Sequence, residues 1–173
     1  GIYLNRSTMN FTGGIVQNNT AQLGRDLGGI KTSGGGITVD NRSTLNMSGE
    51  SSIKGNHSDA VGGGISVGSR EWGPTNILNM DGGIIESNTS GGPGGGIFIQ
   101  AKYYTGGASK AYITSGQILN NQMLGGSNTD DAFGGGGIYV NGANQNYGVN
   151  GGNGELYIKN LIMTDNTSKW EGG

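Results

Sequence analysis

The sequence predicts an all-β solenoid: a right-handed parallel β-helix of about five coils, each built from three short strands. Three observations predict it. Of the 173 residues, 39 are Gly and only 32% are hydrophobic, where a globular domain carries roughly 45–50%. Two short motifs alternate in a fixed order along the whole chain. No segment carries the apolar period of a helix. Collagen would need Gly at every third residue and far more than the 2 Pro present. Recurrent β-branched runs argue against disorder. A repeat architecture with a thin core remains.

The first element of each repeat is Gly, Ile, any residue, then an aliphatic. It occurs as Gly1-Ile2-Tyr3-Leu4, Gly36-Ile37-Thr38-Val39, Gly64-Ile65-Ser66-Val67, Gly96-Ile97-Phe98-Ile99 and Gly137-Ile138-Tyr139-Val140. In the last four the Gly closes a run of three or more. The second element is a short alternating strand at Met9-Asn10-Phe11, Leu45-Asn46-Met47, Leu78-Asn79-Met80, Ala111-Tyr112-Ile113 and Leu156-Tyr157-Ile158. Alternation puts one face inward and one outward. In the fourth copy Tyr112 and Thr114 could equally face inward. The third element is an apolar residue, two others, then Asn. Its copies run from Ile15 to Asn18, Ile53 to Asn56, Ile85 to Asn88, Ile118 to Asn121 and Met163 to Asn166. Small residues precede it, as in Ser48-Gly49 and Asp81-Gly82, and read as turns.

One such unit cannot bury its own apolar face, but stacked units can, as parallel strands about 4.8 Å apart. Asn18, Asn56, Asn88, Asn121 and Asn166 are then expected to form a structural ladder of amides inside one corner. The chain starts inside a Gly-Ile motif and stops at Gly172-Gly173, where a sixth would begin. Residues 1–173 are therefore expected to be a single segment of a longer array, with the parent chain continuing at both ends.

Several classes are disfavoured. A formal net charge of -2 gives no electrostatic reason to expect nucleic acid. The absence of Cys excludes disulfides and thiolate metal sites. No metal or other cofactor is implied. No stretch is apolar enough to insert into a membrane, and no signal peptide is visible.

Gly-Gly-x-Ile motifs alternating with apolar-x-x-Asn resemble the repeats of chlamydial polymorphic membrane proteins and related bacterial adhesin-like β-helix proteins. The first family motif, Gly-Gly-Ala-Ile, reads Gly-Gly-Gly-Ile here, as at Gly35-Gly36-Ile37 and Gly63-Gly64-Ile65. The second has Ile or Met where the family has Phe. The resemblance covers the whole chain. It implies an extracellular, cell-surface segment that serves adhesion, with a host glycoprotein or glycan as partner.

Function in a solenoid sits on loops inserted at one corner. The corner after the first strand lengthens along the chain, from Asn5 to Thr8 and Asp40 to Thr44, through Gly68 to Asn76 and Gln100 to Lys110, to Asn141 to Gly154. The long insertions carry Trp72, Tyr103, Tyr104 and Tyr147 with Arg70 and Lys102. Rings with polar neighbours suit sugar stacking and protein contact, or pack on their own loops. These six residues form the candidate binding edge of a non-catalytic adhesin or stalk segment. The alternative is a polysaccharide lyase or glycoside hydrolase of the pectin-lyase-like type. Asp130-Asp131 would serve a hydrolase, and Arg70, Glu71, Lys102 and Lys110 a lyase. Asn5, Asn10, Asn18, Asn41, Asn46, Asn56, Asn88 and Asn166 each head an Asn-x-Ser/Thr sequon, but four of these fall on the expected ladder.

Overall fold

The chain winds as a parallel β-helix, described by a computed structural model over residues 1–22, 33–68, 75–101, 108–125, 134–142, 152–169 and 172. The first coil comprises β1 (Ile2–Asn5), β2 (Thr8–Gln17) and β3 (Thr20–Ala21). The second comprises β4 (Ile37–Asp40), β5 (Thr44–Lys54) and β6 (His57–Ser58). The third comprises β7 (Ile65–Val67), β8 (Ile77–Glu86) and β9 (Thr89–Ser90). The fourth comprises β10 (Ile97–Ile99), β11 (Lys110–Leu119) and β12 (Gln122–Met123). The fifth has β13 (Ile138–Val140), β14 (Glu155–Ile158), β15 (Ile162–Thr164) and β16 (Thr167–Ser168). Like strands of successive coils pair in parallel, giving sheets ordered β1-β4-β7-β10-β13, β2-β5-β8-β11-β14 and β3-β6-β9-β12-β16, with β15 also on β11.

Register turns the repeat into columns. Ile37, Ile65 and Ile97 stand in line in the first sheet, as do Val39, Val67 and Ile99. Leu45, Leu78 and Ala111 align in the second, as do Met47, Met80 and Ile113 and then Ile53, Ile85 and Ile118. All of these are at most 1% exposed. Each side chain is thus covered by its own counterparts above and below, so a narrow core needs few apolar residues. The fourth coil is settled by this register: Ala111 and Ile113 face in, and Tyr112 faces out.

Two sequence expectations are corrected. The strands divide differently: the second and third elements are one strand of 10 or 11 residues in each of the first four coils. The Ser-Gly and Asp-Gly pairs are bends inside it, marked by glycines of positive φ at Gly14, Gly49, Gly82 and Gly116. The third sheet is instead made of two-residue strands that follow the ladder Asn. Those strands are mostly Ser and Thr, so no apolar pattern announces them.

The second correction concerns the ladder's first rung, which is Asn19 and not Asn18. β5 carries one more residue than β2 at the bend, so Val16 pairs with Ile53 and Thr20 with His57. Ile15-Val16-Gln17-Asn18-Asn19 offers two overlapping apolar-x-x-Asn frames. The stack selects Val16 to Asn19 and leaves Ile15 56% exposed. Asn18 takes the corner itself, at φ 56°, in line with Gly55, Ser87, Asn120 and Asp165 at φ 53° to 61°. Gly, Asn and Asp tolerate that left-handed corner best, and the next residue is the inward Asn.

From there Asn19 Nδ2 donates to Asn56 Oδ1 (2.9 Å), Asn56 to Asn88 (3.0 Å), Asn88 to Asn121 (2.9 Å) and Asn121 to Asn166 (2.9 Å). Each of Asn56, Asn88 and Asn121 also donates to a main-chain carbonyl, of Val16, Ile53 and Ile85 respectively. Their Oδ1 atoms accept the main-chain N–H of the preceding rung. Asn56 and Asn88, 1% and 0% exposed, leave no room for a carbohydrate on their amide nitrogens, whereas Asn5, Asn10 and Asn18 are exposed.

The glycine runs form a third structural column. Gly36, Gly63 and Gly95 donate main-chain bonds to Gly63, Gly94 and Gly135 in turn (3.1–3.2 Å). A Cβ on Gly35 would lie 2.5 Å from the carbonyl oxygens of both Gly63 and His57.

Candidate binding surfaces

Trp72, Tyr103, Tyr104, Tyr147, Arg70 and Lys102 lie outside the described residues, as do Glu71, Asp130 and Asp131. What is described is the base from which the insertions spring. There the outward column at the end of the first sheet includes Asp40, Gly68 and Gln100. Asp40 and Gln100 are 3% and 1% exposed, and Asn76 and Ser109 beside them are 2%. Tyr3 Oη donates to Asp40 Oδ2 (2.7 Å) and Ser43 N to Asn76 Oδ1 (3.2 Å). Both amide atoms of Gln100 are buried without a hydrogen-bond partner.

The outer face of the long sheet carries a second, solvent-side ladder. Asn79 Nδ2 donates to Asn46 Oδ1 and Asn46 Nδ2 to Asn10 Oδ1, both at 2.8 Å. Tyr112 and Tyr157 continue this column as stacked rings, centroids 4.9 Å apart. Beside them Lys110 Nζ lies 2.9 Å from Glu155 Oε2, which also accepts from Tyr157 Oη (2.8 Å). The hydrogen bond to Glu155 raises the Lys110 pKa above its ordinary value. Bonds from Lys110 and then Tyr157 lower that of Glu155. A lysine held as ammonium is in the wrong state to accept a proton.

A lowered carboxylate pKa contributes stability above its unfolded value and loses it as pH falls through the folded value. A carboxyl-detected NMR titration should therefore place the Glu155 midpoint below the ordinary glutamate range, and Lys110→Met should move it back up. Both groups are partly solvent-exposed, so added salt should weaken the effect.

Beyond that column the long strands bend, and the bend opens a groove of about 710 Å³ lined by residues 49–52, 82–84, 115–117 and 160–162. Its floor carries Ser52, Ile84, Gln117 and Ile162, one residue per coil, an outward column that Ile15 extends into the first coil. Sequence reading missed this surface because its members lie in different coils. The signal was present as the residue preceding each inward Val16, Ile53, Ile85, Ile118 and Met163.

His57, the single histidine, bridges Thr89 Oγ1 (2.8 Å from Nδ1) and Asp59 Oδ1 (3.1 Å from Nε2) on the third sheet. The order hydroxyl, imidazole, carboxylate resembles a nucleophilic triad. A nucleophile also needs oxyanion donors. The main-chain N–H groups of His57, Asp59, Thr89 and Gly91 are all committed to bonds between coils. Among the described residues no group of three His, Cys, Asp or Glu side chains could hold a metal ion, and no helix is long and apolar enough to cross a membrane.

No protein-family model, curated protein or solved structure matches the chain. The fold stands on its own geometry, and function is argued from the surfaces.

Proposed function

We propose that this chain is a non-catalytic, extracellular adhesin or stalk segment of a cell surface, binding glycans or glycoproteins through its insertion edge. The aromatic rings gathered in the insertions after the first strands of the third, fourth and fifth coils carry the reading, because flat rings stack on a sugar. The inserted Trp72, Tyr103, Tyr104 and Tyr147 would supply rings for its apolar face, with Arg70 and Lys102 as polar neighbours. The stack beneath is rigid by construction, with core columns and an amide ladder in every coil, and that suits display of a surface more than catalytic movement. Lys110, paired with Glu155 and with its pKa raised by that bond, suits the role of base in the lyase alternative less well.

The test is binding of the folded chain to a panel of glycans and host glycoproteins. A Trp72→Ala/Tyr103→Ala/Tyr104→Ala variant and Gln100→Leu run beside it. Replacing an unpaired buried amide by an apolar group of similar shape is neutral or stabilising. Gln100→Leu should therefore melt no lower than the parent and keep its binding, while the triple variant should lose it. Folded protein that binds nothing on the panel would leave the stalk alone. Binding indifferent to the triple variant would remove the edge from the proposal.

A further inference from the structure

The groove at the bend of the long sheet is independent of the insertion edge and has its own chemistry. We propose that it binds an uncharged, extended, β-linked polysaccharide chain lying along the axis of the stack. Three observations point to this class of ligand.

The first is shape. The lining residues come from four successive coils, so the groove runs along the axis for three steps of about 4.8 Å, roughly 14 Å. Its length is fixed by main-chain pairing, and the glycines at the bend add no side chains to it.

The second is periodicity. Along the floor polar and apolar residues alternate: Ser52, Ile84, Gln117, Ile162. Like residues therefore recur every two coils, about 9.6 Å. An extended β-linked glycan turns each sugar over relative to the last, so its chemistry repeats once per disaccharide, on nearly that length. An extended peptide repeats every two residues, about 6.7 Å, and falls out of step within one coil.

The third is charge. The floor offers the Gln117 amide, the Ser52 hydroxyl and the side chains of Ile84 and Ile162, with Asn160 and Ser115 at its edge. Glu50 is the sole ionisable residue of the lining. A carboxylate with no cation beside it disfavours acidic polysaccharides and phosphates. Amides and hydroxyls between apolar ridges match the edge and face of a neutral sugar.

The experiment is calorimetric titration of the chain with cello-, xylo-, manno- and chito-oligosaccharides, with maltotetraose, tetragalacturonate and an extended Ser-Thr peptide as comparisons. At least one β-linked series should gain about tenfold in affinity from disaccharide to tetrasaccharide and then level off, because further sugars find no floor. Maltotetraose, tetragalacturonate and the peptide should bind about tenfold more weakly or not at all. The double substitution Ile84→Asn/Gln117→Ala should cost about tenfold while circular dichroism and the melting temperature stay near those of the parent. The Trp72→Ala/Tyr103→Ala/Tyr104→Ala variant should bind the tetrasaccharide unchanged, which separates this site from the insertion edge. The proposal is overturned if none of the four series binds at millimolar concentration. Equal affinity for di- and tetrasaccharide, indifference to the groove substitutions, or preference for the peptide would overturn it as well.

Discussion

Asn88→Ala is expected to destabilise the stack by about 3–5 kcal/mol, which is a third or more of a typical domain's stability. The side chain is 0% exposed and makes four hydrogen bonds. Its Oδ1 accepts from the main-chain N–H and the Nδ2 of Asn56 (both 3.0 Å), and its Nδ2 donates to Ile53 O (3.0 Å) and Asn121 Oδ1 (2.9 Å). Its own N–H, bonded to Asn121 Oδ1, survives the truncation. Asn56 N–H and Ile53 O lose this partner, Asn56 Nδ2 is left with Val16 O and Asn121 Oδ1 with the Asn88 N–H, and each buried group left unpaired carries a desolvation cost of about 1–3 kcal/mol. Urea unfolding followed by circular dichroism measures it. Asn18→Ala, at the exposed corner, should change stability by less than about 1 kcal/mol, and Asn19→Ala should fall between the two. An Asn18 effect equal to that of Asn88 would return Asn18 to the ladder.

Gly35→Ala is expected to cost about 3 kcal/mol or more, or to prevent folding, although it adds a single methyl group. The new carbon would sit 2.5 Å from two carbonyl oxygens, those of Gly63 and His57. Both belong to main chain pinned between coils, so neither can turn away as a side-chain end would. Gly13→Ala supplies the contrast. Nothing lies within 4 Å of its added carbon, and the residue lies in a strand without positive φ. There the loss of glycine's unfolded-state freedom should stabilise by about 0.5 kcal/mol. Two Gly→Ala changes of opposite sign in one unfolding series would show that the glycine runs are a steric requirement of stacking rather than a flexible tract.

The stack was legible in the sequence wherever a column repeats one chemical type. Ile37, Ile65 and Ile97, or Leu45 and Leu78, occupy inward positions that the period-two pattern identifies directly. The inward Asn was legible for the same reason. The bend was not, because a strand that continues through Ser48-Gly49 looks like one that stops there. The third sheet was not legible either, since His57-Ser58 and Thr89-Ser90 carry no apolar signal and pair only because the ladder Asn before them is fixed. The shift from Asn18 to Asn19 depended on one extra residue in β5, a fact about the neighbouring coil. That coil could have disclosed it: a left-handed residue stands before each inward Asn, and Asn18 fits that role beside Gly55, Ser87, Asn120 and Asp165. The groove floor depends on the same register, and its alternation of Ile with Ser or Gln appears only once the coils are aligned. The insertion edge follows no repeat at all. Its aromatic residues were singled out by composition, and composition carries no geometry.

The most direct test of a surface that binds without reacting is a single incubation of the folded chain with each polysaccharide it retains. Retained polymer and newly formed chain ends are measured on the same sample. Reversible retention with no new reducing or unsaturated ends is the predicted result. Shortened chains, released by the parent protein and not by a heat-denatured preparation of it, would contradict it and make the chain an enzyme.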